Sequence, residues 1–205
     1  MIMNSASKND SDADLLARYG AGDETAFREL VTRYKNSLYA FLRRFLTRQD
    51  LIEDVFQETF LQLFTSRDSF DTSRPLRPWL FTIAANKAKD ALRKGQRTAA
   101  IPIGTIGDTD EMSFNDVLNS LTAYTEVPHD QVERDETATR VRKIIVNMPV
   151  NLREILILAY FEKFSYKQMA NILSIPIGTV KSRLHTAVGR FAKEWKTAVR
   201  SKDTK

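Results

Sequence analysis

The sequence contains no cysteine and only two histidines, His129 and His185, among its 205 residues. Disulfides and thiolate metal sites are therefore excluded, and a histidine-based metal centre is not expected. No segment alternates polar and apolar residues over a useful strand length, and no internal repeat is evident. These absences favour an all-α protein that holds neither a metal nor another cofactor.

Long apolar runs are missing as well. The longest of them, from Ile155 to Tyr160, is far too short to cross a bilayer. The first fourteen residues are polar and acidic, which is unlike a secretory signal peptide. We therefore expect a cytoplasmic protein with no membrane insertion.

Charge is abundant but unevenly distributed. The chain has 31 basic and 26 acidic residues, for a net charge of +5. Residues 1–98 carry +3, residues 99–137 carry −8 and residues 138–205 carry +10. A strongly basic segment suggests a polyanionic partner, and blocks of opposite sign indicate segments with different tasks.

Helical periodicity and the charge blocks together predict two small helical domains joined by an acidic linker. In the first domain, Gly20 and Gly22 divide an apolar pattern into a short and a long helix. The expected organisation is a disordered leader at 1–11, a first domain at 12–98, the linker at 99–137 and a second domain at 138–200. A solvated, disordered tether is one of the alternatives for the linker.

A helix predicted over 51–64 has an acidic face. Asp50 and Glu53 resemble a capping box at its start, and the helix places four polar residues on one face: Asp50, Asp54, Gln57 and Glu58. Because like charges along one face repel each other, such a stripe is more informative than a mixed one. Docking onto a basic protein surface is favoured, and a solvated face or a divalent-metal site for nuclease chemistry is the alternative.

The next predicted helix starts at Pro78 or Trp79, ends near Lys94 and is rich in basic residues. Its candidate DNA contacts are Trp79, Asn86, Lys87, Lys89 and Arg93. Lysine and arginine bind phosphates, asparagine can hydrogen-bond a base edge, and an aromatic ring can stack on an unpaired base. A core position is favoured for Trp79 considered alone, and Asn86 fits surface and recognition roles equally well.

The stretch 165–195 has the pattern of a helix-turn-helix. Ser165 and Gln168 form a capping box for the first helix, Pro176 ends that helix, and Thr179 is a plausible cap for the second. In the second helix one apolar stripe faces inward, and the candidate DNA contacts lie on the other faces: Thr179, Lys181, Ser182, Arg183, His185, Thr186 and Arg190. A helical hairpin with a solvated basic face is the alternative.

The order of these motifs resembles a bacterial extracytoplasmic-function sigma factor. The resemblance rests on DVFQETF at 54–60, WLFTIAAN at 79–86 and the stretch from Pro149 to His185, which ends in GTVKSRLH. It covers both predicted domains, at about 12–98 and 138–195. The last motif is specific only in combination with the others, because other helix-turn-helix regulators have similar turns.

The resemblance implies a non-catalytic specificity subunit of RNA polymerase. The first domain (region 2) is then expected to dock its acidic helix on the coiled coil of the polymerase β′ clamp and to read and open the −10 element around Asn86. The second domain (region 4) is expected to sit on the β flap and to place helix 179–193 in the major groove of the −35 element. An anti-sigma factor is expected as a further partner.

The sequence departs from the family pattern in both DNA-reading helices. Thr186, Val188 and Gly189 stand where basic residues are common after the GTVKSRLH motif, as do Thr82 and Ala85 in the earlier helix. Fewer cations predict fewer phosphate contacts and a shallower dependence of binding on salt. The rival functions are a stand-alone DNA-binding regulator, which leaves the first domain without a task, and a Mg²⁺-dependent nuclease.

Overall fold

The computed structural model describes residues 10–66, 70–96 and 131–200, and all regular structure in these ranges is helical. The predicted all-α class is confirmed. The first half contributes α1 (Asp12–Gly20), α2 (Glu24–Phe45), α3 (Gln49–Thr65) and α4 (Leu76–Gln96). The second half contributes α5 (Gln131–Asn147), α6 (Val150–Leu156), a π-helical turn (Ile157–Phe161), α7 (Tyr166–Leu173) and α8 (Ile177–Arg200). Most of the predicted leader and of the acidic linker lies outside the described residues.

The corner between α1 and α2 lies where the glycines predicted a break. Gly22 has a φ of 96°, a left-handed conformation that glycine adopts at little cost. Asp23 then caps α2, because its carboxylate accepts a hydrogen bond of 2.9 Å from the backbone N–H of Thr25. Hydrogen bonds from the side chains of Thr25 and Arg18 lower the pKa of Asp23 to about 2.

The starts of α3 and α4 differ from the prediction. No side chain caps α3, which begins at Gln49, so the predicted capping role of Asp50 is wrong. The Asp50 carboxylate accepts hydrogen bonds from Arg48 instead. α4 begins at Leu76, two residues before Pro78, and the missing N–H of proline costs nothing in a first turn.

The helix-turn-helix is present in the second half, with one boundary corrected. The capping box is confirmed: the Gln168 N–H donates to Ser165 Oγ at 3.3 Å and the Ser165 N–H to Gln168 Oε1 at 2.9 Å. α8 begins at Ile177, directly after Pro176, so the predicted cap at Thr179 is wrong. Thr179 lies within the first turn of α8 and is half-buried.

A π-helical turn, Ile157–Phe161, directly follows α6. The Glu162 N–H donates to the Ile157 carbonyl at 3.1 Å, and the chain then reverses through Lys163, whose φ is 56°. The wider turn leaves Glu162 and Phe164 almost fully buried. π-Turns of this kind are frequent at functional sites.

The two halves share one apolar core in the described part of the chain. Phe81 of α4 packs edge-on against Phe164 at a ring-centre distance of 5.2 Å, and on its other side against Phe41 of α2 at 5.3 Å. Along its length, α4 packs between α3 of the first half and α7 of the second. Burial on both sides explains why its sequence shows little amphipathic contrast.

Candidate nucleic-acid and protein interfaces

The inner face of α8 is the apolar stripe that the sequence predicted. Val180, Leu184, Ala187 and Phe191 are all buried. Val188 is also buried, with 4% of its surface exposed, so its position removes nothing from the outer basic face. Of the three departures from the family pattern in this helix, only Thr186 and Gly189 reduce the number of basic residues on the outer face.

The outer face of α8 carries all seven predicted DNA contacts. Four of them are exposed and the rest are half-buried; the exposed ones are Lys181, Ser182, His185 and Thr186. The Ser182 and Thr186 hydroxyls donate to carbonyls one turn earlier in the helix, at 3.2 and 3.0 Å. Their oxygens can still accept, whereas Arg190 interacts with Glu194 at 3.6 Å. The face is convex, polar and basic, as a helix in a major groove requires.

α4 presents Asn86 to solvent. Trp79, near the start of the same helix, is half-buried and stacks on Phe70 with 4.5 Å between ring centres. The structure therefore gives Trp79 a packing role and leaves Asn86 as the exposed recognition candidate. The two side chains lie about two helical turns apart.

Each of the three predicted cations of α4 has an acidic partner. Lys87 Nζ lies 3.1 Å from Glu58 of α3, and Arg93 interacts with Asp90 of its own helix at 3.1 Å. Lys89 Nζ lies 3.3 Å from Glu154 of α6, in the second half of the chain. Lys89 is thus engaged across the interface between the halves.

The acidic face of α3 is fully presented. Asp50, Asp54, Gln57 and Glu58 are all exposed, and the helix buries Ile52, Val55 and Leu63 on the opposite side. The hydrogen bond from Arg48 lowers the pKa of Asp50, which keeps this carboxylate ionised.

Leu61 lies one helical turn beyond Gln57, with 62% of its surface exposed. Sequence reasoning missed this residue. The detectable signal was an apolar residue continuing a polar helical face, which marks a protein contact better than a solvated surface.

The metal-site alternative finds no support in the described part of the chain. Within residues 10–66, 70–96 and 131–200, no three His, Cys, Asp or Glu side chains lie close enough together to hold a metal ion. Over the same ranges, no helix has the length and apolarity needed to span a membrane.

Three charged residues of the second half are buried: Arg153, Glu154 and Glu162. Burial lowers the pKa of Arg153 to about 10 and raises the pKa of Glu154 and Glu162, despite the favourable charges of Lys89 and Arg77. The sequence signal was the presence of charges at the edges of the apolar run ILILAYF. Such groups need a specific partner, and each of the three has one in the first half of the chain: the Phe45 carbonyl for Arg153, Lys89 for Glu154 and Arg77 for Glu162.

Comparison with protein families matches both halves. Residues 30–98 match the model of sigma-70 region 2, and residues 138–190 match that of sigma-70 region 4. The ECF RNA polymerase sigma factor SigW of Bacillus subtilis is 30% identical over 164 residues, which cover 80% of this chain and 86% of that protein. The ECF RNA polymerase sigma-E factor of Haemophilus influenzae is 32% identical over 177 residues, covering 86% and 91%.

Solved structures with a similar fold include two complexes. CnrH bound to the cytosolic domain of CnrY matches with a TM-score of 0.66 at 24% identity, over 92% of this chain and 99% of that one. The sigma factor RpoE of Bartonella quintana, bound to the anti-sigma factor NepR, matches with a TM-score of 0.61 at 25% identity, over 83% and 96%.

Proposed function

The chain belongs to the extracytoplasmic-function sigma factors, and we propose that it docks on core polymerase with the exposed face of α3 and recognises promoters with the exposed faces of α4 and α8. As a family member it is a DNA-binding subunit that directs RNA polymerase to promoters, and it is not an enzyme. The single observation that carries the residue-level proposal is that each matched region exposes the polar face of a helix whose other face is buried. The proposed units are 12–98 and 138–200, joined by the acidic linker at 99–137.

The outer face of α8 is the proposed reader of the −35 element. Lysine and arginine contact phosphates, while Ser182, Thr186 and His185 can reach base edges. The contacts we propose are Thr179, Lys181, Ser182, Arg183, His185, Thr186 and Arg190. With few cations beyond Arg183, this half should depend weakly on salt.

α4 is the proposed reader of the −10 element. The exposed amide of Asn86 can both donate to and accept from a flipped base, and the nearby cations can hold the strand that carries it. The proposed contacts are Trp79, Asn86, Lys87, Lys89 and Arg93. Trp79 also stacks on Phe70, and this packing holds the surface around it in place.

α3 is the proposed docking face for core polymerase. Asp50, Asp54, Gln57 and Glu58 offer an acidic surface to the coiled coil of the β′ clamp, and Leu61 adds an apolar contact beside them. The second half is proposed to contact the β flap. An anti-sigma factor is a further proposed partner, and the proposed location is the cytoplasm, where the polymerase acts.

The test is run-off transcription from genomic fragments with purified protein and core polymerase. We expect a stable complex and promoter-dependent transcripts. Replacing Asn86 with alanine should reduce promoter opening much more than it reduces binding to duplex DNA. Promoter opening is measured by the reactivity of unpaired thymines with permanganate. Equal losses in both assays would show that Asn86 is structural.

The same experiment separates the rival functions. A protein that binds duplex DNA but neither binds core nor yields transcripts is a stand-alone regulator. Divalent-dependent DNA cleavage would instead support the nuclease.

A further inference from the structure

A cavity of about 640 Å³ lies where the end of α2 meets α5. Its lining comes from both halves of the chain: residues between 40 and 47, residues between 138 and 147, and Phe161 of the π-helical turn. A cavity of this size is typical of pockets that hold small organic molecules. None of the residues proposed above to contact DNA or the β′ clamp lines it.

Four basic side chains line this cavity, and none of the described residues that line it is acidic. Arg43 and Arg44 belong to α2, and Arg142 and Lys143 belong to α5. In the described part of the chain, no ion pair joins any of the four to a carboxylate. Positive charge is therefore concentrated in the cavity without a neutralising partner, which attracts anions.

Helix ends account for only two of the four cations. Arg43 and Arg44 lie in the last turn of α2, where the partial negative charge of the helix end favours basic residues. The last turn of α5 contains no basic residue, so Arg142 and Lys143 have no such explanation. An anion bound between the two helices accounts for both pairs.

Two of the guanidinium groups are held in fixed positions. The Nε of Arg142 donates a hydrogen bond of 3.0 Å to the carbonyl of Arg43, which reaches from α5 to α2. The guanidinium of Arg44 lies 4.2 Å from the ring centre of Phe161. Within the described residues, no further hydrogen bond occupies the terminal nitrogens of either group. A fixed guanidinium can donate to two phosphate oxygens at once and loses little entropy in doing so.

The rest of the cavity is mostly apolar. Thr139 and Asn147 add one hydroxyl and one amide to it. An inorganic anion would leave the apolar lining without a partner. A planar base could pack on that lining and on the face of the Arg44 guanidinium that Phe161 does not cover. The apolar residues of the lining are Ala40, Ala138, Val141, Ile145 and Val146.

We propose that this cavity is a nucleotide-binding site, in which the four cations hold the phosphates and the apolar lining holds the base. The ligand class is a nucleoside di- or triphosphate. Because the described lining has no carboxylate, it provides neither the usual ligand for Mg²⁺ nor a general base. The nucleotide is therefore bound without being hydrolysed, and its binding does not require the proposed promoter contacts.

A bound nucleotide contacts both halves of the chain, since α2 and α5 each supply two of the cations. A ligand that binds the folded protein and not the unfolded chain stabilises the folded state by mass action. The melting temperature should therefore rise with nucleotide concentration.

The test is isothermal titration calorimetry of the full-length protein at constant ionic strength. The probes are ATP, GTP, adenosine and inorganic tripolyphosphate. At least one of the two nucleotides should bind with one-to-one stoichiometry, at least tenfold more tightly than adenosine or tripolyphosphate. Only a nucleotide fills the charged and the apolar parts of the cavity together.

The double variant Arg43→Glu, Lys143→Glu reverses one charge on each side of the cavity. Both side chains are exposed, so the fold should be kept. The affinity for the nucleotide should fall at least tenfold, because two attractive charges become repulsive.

The double variant Lys35→Glu, Arg74→Glu is the matched control. It makes the same change in net charge at two exposed positions that do not line the cavity. Arg74 contacts only Asp71, in its own half. The affinity for the nucleotide should stay within twofold of the wild-type value.

Ala138→Phe fills the cavity without changing its charge. It should weaken nucleotide binding at least tenfold and change tripolyphosphate binding by less than threefold, because all four cations remain. Circular dichroism checks that each variant folds; should Ala138→Phe not fold, the comparison of the two double variants decides.

The nucleotide site would be overturned if neither nucleotide bound the wild-type protein, or if the two double variants lost affinity equally. It would also be overturned if tripolyphosphate bound as tightly as the nucleotides and Ala138→Phe changed neither affinity, since only surface charge would then be acting. All of these measurements omit polymerase and promoter DNA, so the failure of the transcription assay would leave their outcome unchanged.

Discussion

Arg153 lies where the ends of two helices meet, and it shows how a buried charge can be held without a carboxylate. Its guanidinium donates to the carbonyl of Phe45 at the end of α2, and to those of Val146 and Met148 at the end of α5. All three carbonyls lie at helix C-termini, where the partial negative charge favours a cation. Its pKa of about 10 keeps the side chain charged at neutral pH.

Replacing Arg153 with methionine should therefore reduce the free energy of unfolding by about 2–4 kcal/mol, since three helix-end carbonyls lose a charged donor while the apolar stem is kept. Urea unfolding followed by circular dichroism measures this.

Arg142→Gln is the control for that variant. Arg142 is more exposed and donates one hydrogen bond, to the Arg43 carbonyl, so its loss should cost about 1 kcal/mol or less. Equal effects of the two substitutions would show that the burial of Arg153 is irrelevant to its contribution.

Helix α3 has one buried face and one exposed acidic face, and the exposed face is the proposed docking surface. Its buried side packs Ile52, Val55 and Leu63 into the core, and its acidic side makes few contacts within the described residues. On this face Asp50 accepts hydrogen bonds from Arg48, and Glu58 contacts Lys87, which links the face to α4. Substitutions on the acidic side can therefore change binding without changing the fold.

Replacing Asp54 and Gln57 together with lysine should weaken binding to core polymerase at least tenfold, because both substitutions place positive charge on the proposed docking face. The free energy of unfolding, measured by thermal denaturation, should stay within about 1 kcal/mol of the wild-type value, because both positions are exposed. Fluorescence anisotropy with labelled protein measures the affinity.

Glu24→Lys serves as the matched control, since it places a lysine on an exposed position of α2 in the same half. Unchanged core affinity in the double variant, or an equal loss in the control, would refute the docking face.

At the scale of the whole molecule, the two halves share a core in the described structure although they match separate family regions. Phe81 packs against both Phe41 and Phe164, so the ring of one residue joins the halves. Elements that share a core are expected to unfold together. The two tryptophans allow this to be observed, because Trp79 lies in the first half and Trp195 in the second.

We expect the single-tryptophan variants Trp195→Phe and Trp79→Phe to show coincident fluorescence transitions in urea. Adding Arg77→Glu should separate them, since each half then unfolds on its own, whereas adding Arg74→Glu should not. Separate transitions without the Arg77 substitution would mean that the halves are independent in solution.

Much of the fold could be predicted from local sequence. Gly20, Gly22, the Ser165–Gln168 capping box and Pro176 act through their immediate neighbours, so their effects follow from chain chemistry alone. The cap predictions at Asp50 and Thr179 were wrong, because in both places the helix begins two residues or less before the capping candidate. A suitable side chain shows that a cap is possible without showing which residue packing selects.

Part of the candidate site could likewise be predicted from the sequence, and part of it could not. The exposed faces with Asp54, Asn86 and Lys181 could be predicted, since a helical period alone separates a buried stripe from its opposite side. The sequence by itself therefore determined the helices, their inward faces and the family to which the motifs point. Only the tertiary structure decided that Lys89 contacts Glu154, that Arg77 contacts Glu162 and that the halves close on each other. Those contacts join residues 65 and 85 positions apart, and the burial that makes them specific arises only when distant helices pack together.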